Sequence, residues 1–281
     1  MGYNKKEVLT PRDILRYASY LREQEKSKAT VEKYTFALRT FIEFLDGDEL
    51  TKSRLIDWKE NLAGTYAAAS VNTMLAAING FLDFRHKANL KVKPLKIQKS
   101  MFCDKSRELS HEEYVRLVRA AESERLSLVI QTICATGIRV SELQFITAVA
   151  IRTGRAEINN KGKRRIVFLP DRLRRMLKKY LQEQKRACGP VFVTKTGKIL
   201  DRSNIWREMK TLCKKAGVEP GKVFPHNLRH LFARTYYSLE KDLSRLADVL
   251  GHSNVNTTKI YTMESGSVHA RQIERLKLII T

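Results

Sequence analysis

Between His86 and Ser110 the regular spacing of apolar residues found elsewhere in this chain breaks down. The stretch HKANLKVKPLKIQKSMFCDKSRELS carries Lys87, Lys91, Lys93, Lys96, Lys99, Lys105 and Arg107 around Pro94, with neither a helical nor a strand period. A segment of this kind cannot bury a continuous stripe, so it reads as an extended basic linker. The 281 residues are therefore expected to build two cores instead of one. The division predicted is a helical domain over 1–88, a linker over 89–107 and a second domain over 108–281.

Before the linker, four amphipathic helices are legible. Thr10-Pro11 starts the first, whose stripe is Ile14, Tyr17, Ala18 and Leu21, with proline tolerated in the first turn where no amide partner is lost. Thr30 opens the second, with Val31, Tyr34, Leu38, Phe41, Ile42 and Leu45 on one face, closed by Asp46-Gly47-Asp48. Thr51 to Leu62 and Ala68 to His86 supply the others. Their aromatics fall on the apolar stripes, which assigns them to a core and not to base stacking.

After the linker, Ser110 is a good N-cap with Glu113 at the capping-box position, and helices follow through HEEYVRLVRAAES and LSLVIQTICATG. AEINN and RRIVFLP then flank NKGK as two short strands about a lysine-bearing turn. Helices resume to the end, including a tail helix after Ser267. The fold class expected is mainly α with a small antiparallel β-sheet.

The formal charge of +23 and pI near 10.0 fit a chain that neutralises phosphates, although a solvated basic surface has the same composition. Residues 1–105 hold 19 basic and 13 acidic side chains and residues 106–281 hold 34 and 17, so the second part should carry most backbone contacts. The four cysteines are too widely spaced for a zinc knuckle and too few for a disulfide framework. No apolar run approaches the roughly 18 residues that span a bilayer, and the amino terminus lacks a secretory core, so no membrane role and a cytoplasmic location are expected.

Four polar clusters sit where helices or strands should end. They are ATGIRVSEL around Arg139, NNKGKRR around Lys161, PHNLRHLF around His226 and Arg229, and LGHSNVNTTKIYT around His252 and Tyr261. Gly137 interrupts an apolar helix just before Arg139, and Glu142 is available to it as an ion-pair partner. His226 and Arg229 share a helical face behind Pro225 and can address one anion. Each cluster alone has a bland reading: a buried pair, a solvated helix start, a capping histidine, a packing tyrosine. Together they suit phosphoryl transfer without metal, with arginines on the nonbridging oxygens, tyrosine as nucleophile and lysine as acid. The clusters contain no group of carboxylates suited to a two-metal nuclease.

ATGIRVSEL, HNLRH and LGHSNVNTTKIYT resemble the three conserved boxes of the tyrosine recombinases (phage integrase family), and NKGKRRIVFL resembles the family's lysine-bearing β-hairpin. The likeness runs from about Ser106 to Thr262, and the helical module before it is similar to the family's core-binding domain in pattern and length. The resemblance implies a two-domain clamp on double-stranded DNA that works without cofactor or metal ion. It makes Arg139 and Arg229 phosphate clamps, Lys161 the general acid, His226 the proton partner of the nucleophile, His252 a phosphate donor and Tyr261 the residue joined to DNA. Glu142 would support Arg139, and Lys87, Lys91, Lys93, Lys96, Lys99 and Lys163 would contact the DNA backbone. It implies a monomer in solution, a homotetramer on two sites and association with the nucleoid.

Two departures stand out. QFITAVAIRTG replaces the usual aspartate-containing turn into the first strand, and the hairpin turn is shorter than the usual GKGNK, which leaves Lys161 and Lys163 both open as the acid. A type IB topoisomerase-like enzyme or a non-catalytic DNA-binding regulator on the same fold are the alternatives.

Overall fold

The computed structural model describes residues 8–97, 105–160, 163–194, 196–252 and 254–261. Lys99, Lys161 and the expected tail helix lie outside the described residues. The chain divides into two compact units, residues 1–99 and 100–281.

In the first unit the helices are α1 (Pro11–Glu23), α2 (Lys28–Leu45), α3 (Lys52–Thr65) and α4 (Ala68–Phe84). Pro11 stands at the first helical position of α1, and Asp13 reaches back to accept the Thr10 amide at 2.8 Å. Asp46 ends α2 in the left-handed region, at φ 45°. Tyr17, Phe41, Trp58 and Phe81 are all buried, Phe41 against Trp58 at 5.0 Å between centroids and Tyr17 edge-on to Phe81 at 5.3 Å. Each such side chain contributes about 1.5–3 kcal/mol by leaving water.

Residues 91–97 do not hang free. Asn72 and Asn79, two turns apart on α4, each grip the backbone of this stretch with donor and acceptor together. Asn79 pairs with Val92 at 2.9 and 3.1 Å, and Asn72 with Leu95 at 2.9 and 2.7 Å. Within this strap Val92 is buried in the core of the first unit, while Lys93 and Lys96 are exposed. Lys91 is paired with Asp83 at 2.5 Å, and Lys87 is half-buried. The missing apolar period thus hid a segment whose Val92 and Leu95 backbones are satisfied by side chains instead of by a helix or sheet.

In the second unit α5 (His111–Ala120) starts with the expected capping box, Ser110 amide to Glu113 at 2.8 Å. Helix α6 (Glu124–Thr136) packs against α5 and against α8 (Asp171–Glu183), α9 (Arg202–Ala216) and α10 (Pro225–Glu240), and so runs through the core. Gly137 ends α6 at φ +64°, and a Cβ there would sit 2.4 Å from the Phe232 ring. Only glycine fits, and the chain is released into a 3-10 stretch, Val140–Phe145. The departure noted in QFITAVAIRTG is a short helix, α7 (Ala148–Thr153), capped by the Thr147 side chain at 3.1 Å.

Strands β1 (Arg155–Asn160) and β2 (Lys163–Phe168) pair antiparallel with Asn160 opposite Lys163. Ala156, Ile158 and Val167 face the core, and Ile166 and Phe168 face outward. Helix α11 (Leu243–Leu250) ends at Gly251, φ +66°. No helix among the described residues is long and apolar enough to cross a membrane.

Candidate active site

Arg139, His226 and Arg229 line one cleft of about 530 Å³ with Ile138, Ser141, Arg202 and Trp206. Arg139 arrives from the break after Gly137 and leaves its side chain 37% exposed, open to a ligand. Its backbone amide donates to Glu142 Oε2 at 2.8 Å and its Nη1 to Oε1 at 3.0 Å. Glu142 is 1% exposed and accepts two further bonds from the fork of Arg165, at 3.1 and 2.8 Å. Burial alone would raise the Glu142 pKa. The Arg139 amide and the Arg165 charge outweigh it and hold the carboxylate below its ordinary value.

Arg165 is not among the residues on which the four polar clusters centre, and its one signal in the sequence is the strand period: 165 alternates inward with Val167, and an arginine facing inward needs an acid. It also fills the space over Gly251, where a Cβ would meet Arg165 at 2.6 Å. One guanidinium thereby joins the hairpin, the Arg139 segment and the turn that precedes His252.

Arg229 is buried at 2% exposure. It donates to the Gly137 carbonyl at 2.6 Å, to the Leu250 carbonyl at 2.8 Å and to His252 Nε2 at 2.9 Å. The two carbonyls are free because they end α6 and α11, whose last acceptors have no helical partner. Burial and then the neighbouring charge of Arg139 lower the Arg229 pKa to about 10, so it remains a cation at neutral pH.

Tyr261 lies at 3% exposure beside Arg229, its ring stacked on His252 with centroids 6.0 Å apart and edge-on to His230 at 4.6 Å. His230 Nε2 meets His226 Nε2 at 3.1 Å. Burial, then His226 and the arginines Arg234 and Arg229, depress the His230 pKa to about 4, and burial followed by Arg229 and Arg139 does the same to His252. His226 faces solvent at the wall of the cleft, where desolvation and then Arg229 and Arg139 lower its pKa. These histidines are neutral bases among cations. His230 follows His226 by one helical turn, a spacing visible in HNLRH.

The structure thus brings Arg139, Glu142, His226, Arg229, His252 and Tyr261 together. Lys163 opposes Asn160 on β2, and Lys161 lies outside the described residues. Among the described residues no group of three or more His, Cys, Asp or Glu side chains is placed to hold a metal ion.

Residues 107–266 match the family model described as "Phage integrase family", and residues 14–89 match "Phage integrase, N-terminal SAM-like domain". Tyrosine recombinase XerA of Pyrococcus horikoshii is 28% identical over 288 residues, covering 99% of this chain and 98% of the relative. A crystal structure of XerH site-specific recombinase bound to its difH substrate, a pre-cleavage complex, superposes with a TM-score of 0.72 at 21% identity, covering 96% of this chain and 85% of that one. A lambda integrase tetramer bound to a Holliday junction superposes with a TM-score of 0.73 at 18% identity, covering 92% and 78%.

Proposed function

This chain belongs to the phage integrase family and is a tyrosine-type site-specific recombinase, and from that premise we propose the part each residue plays. Arg139 and Arg229 grip the nonbridging oxygens of the scissile phosphate and stabilise the charge that builds in the pentacovalent transition state. The Tyr261 hydroxyl attacks phosphorus, its proton passes to His226, and the 5′ oxygen leaves with a proton from Lys161. A 3′-phosphotyrosyl bond replaces the phosphodiester, so the bond energy is kept for rejoining. His252 donates a hydrogen bond to the phosphate. Glu142 holds Arg139 in place through its amide and guanidinium at once.

The observation that carries this reading is the convergence of three separate stretches of chain: Arg139, His226 and Arg229 line one cleft, and His252 and Tyr261 lie against the buried Arg229. The named relatives are recombinases, which favours this activity over a topoisomerase-like enzyme or a silent regulator. Suicide DNA substrates on denaturing gels test it: a covalent adduct forms and maps to Tyr261, and an adduct at Tyr236 or Tyr237 refutes the assignment.

The partner is double-stranded DNA, held by both units, with Lys93 and Lys96 on the strap and Lys163 on the hairpin among the backbone contacts. Lys87, Lys91 and Lys99 add charge to the same segment. The chain acts in the cytoplasm on nucleoid DNA, as a monomer that assembles into a homotetramer on two sites. Truncation after Ser267 leaves a monomer that binds one site and fails to form the synapse, as light scattering would read.

A further inference from the structure

The proton on His252 can be located from its two partners. Arginine has hydrogens to give and no lone pair to accept with, so the 2.9 Å contact from Arg229 Nη2 requires a lone pair on His252 Nε2. A neutral imidazole then carries its hydrogen on Nδ1, which lies 2.9 Å from Thr258 Oγ1. His252 is neutral here, since burial and the surrounding arginines hold its pKa to about 4. Thr258 is fully buried at 0% exposure, and its backbone carbonyl accepts the Tyr261 amide at 3.0 Å. One residue therefore touches His252 through its side chain and the Tyr261 segment through its backbone.

We propose that Thr258 is a positioning residue that holds His252 in both tautomers: its hydroxyl accepts from Nδ1–H in the DNA-free enzyme, where Arg229 fixes that form, and donates to a bare Nδ1 once Nε2 turns to the scissile phosphate. The second half rests on the reading of His252 as a phosphate donor. In the DNA-free arrangement Nε2 has no hydrogen to offer a phosphate. It becomes a donor only when the hydrogen sits on Nε2, and Nδ1 is then an acceptor that must be satisfied inside the protein. A hydroxyl serves both states by rotating, because it is donor and acceptor together. A backbone carbonyl in its place would serve only the first. The same threonine fixes the start of the turn that presents Tyr261, so the histidine and the nucleophile are set by one residue.

Two substitutions separate this role from simple packing. Thr258→Val keeps the shape and loses the hydroxyl, and Thr258→Ser keeps the hydroxyl and loses a methyl group. Positioning makes Val the damaging change: covalent adduct formation on a suicide substrate falls about tenfold to a hundredfold, by analogy with the groups that orient metal-bound histidines, while Ser stays within a fewfold of the parent. Packing alone reverses that order, and the reversal overturns the proposal. Nitrogen-15 spectra of histidine-labelled, DNA-free protein read the tautomer directly. The Nδ1–H form is expected for His252, and the Nε2–H form refutes the assignment whatever the kinetics. His252→Ala measured alongside keeps the two ideas distinct. If it cleaves normally, the phosphate-donor role fails. If it is impaired while Thr258→Val is not, the role of Thr258 fails.

Discussion

The two units bury different things. The first fills its centre with Tyr17, Phe41, Trp58 and Phe81, and Asp13, the one buried charge among its described residues, is used at the start of α1 and by Arg85. In the second, a largely aliphatic core surrounds Glu142, Arg229, Asn227 and Thr258 at 5% exposure or less. Desolvating a charge is costly unless its partners are fully supplied. The second unit supplies them for Glu142 and Arg229 from helix ends and from neighbouring side chains, so its two buried charges among the described residues are also groups to which the proposed chemistry assigns a part. The contrast teaches that a core can be filled by aromatic bulk alone or can store paired charge, and only the second kind holds groups suited to the proposed chemistry.

The sharpest break of that contrast is Tyr261→Phe. It removes one oxygen from a buried ring, so covalent capture should vanish while DNA affinity and melting temperature stay near the parent values. Next comes Lys161→Ala, expected to slow cleavage by about 10²–10⁴, the value of a lost general acid. A 5′-bridging phosphorothiolate, whose leaving group needs no proton, should recover most of the rate. If Lys163→Ala is the variant recovered in this way, the acid lies two residues further along.

In the first unit the expected damage is to stability and not to chemistry. Trp58→Ala should cost about 3–5 kcal/mol by leaving a cavity, read by denaturant unfolding, with cleavage per folded molecule unchanged. A chemical defect in the folded fraction would erase the distinction between the units.

Acid sensitivity sharpens it further. His230 and His252 have folded pKa values of about 4 against 6.5 for the free group. The unfolded chain therefore binds protons between those values that the folded chain does not. Stability from these two residues is complete above pH 6.5 and is lost as pH falls toward 4. Melting followed over that range should show the second unit weakening first, and His230→Phe should flatten its dependence.

The smallest effect expected is that of Asn79→Ala, which frees the Val92 backbone and should cost about 1 kcal/mol, with a modest loss of DNA affinity if the strap orders Lys93 and Lys96. Fluorescence anisotropy at two salt concentrations reads that change.

What the sequence determined was what can be read from local spacing. The four helices before the linker, the capping box at Ser110, the strand pair and the residues of the polar clusters all follow from periodicity, caps and motif order, because each depends on near neighbours in the chain. Tertiary structure alone decided the rest. Arg165 meets Glu142 from 23 residues away, Arg229 reaches the Gly137 carbonyl across 92, and Asn72 and Asn79 hold a strap that lacks any apolar period. A local pattern can at most turn such a residue inward, as the strand period does for Arg165; it does not name the partner, since an arginine or asparagine looks alike whatever it meets. What names the partner is which free carbonyl, carboxylate or amide the folded chain brings within hydrogen-bonding distance.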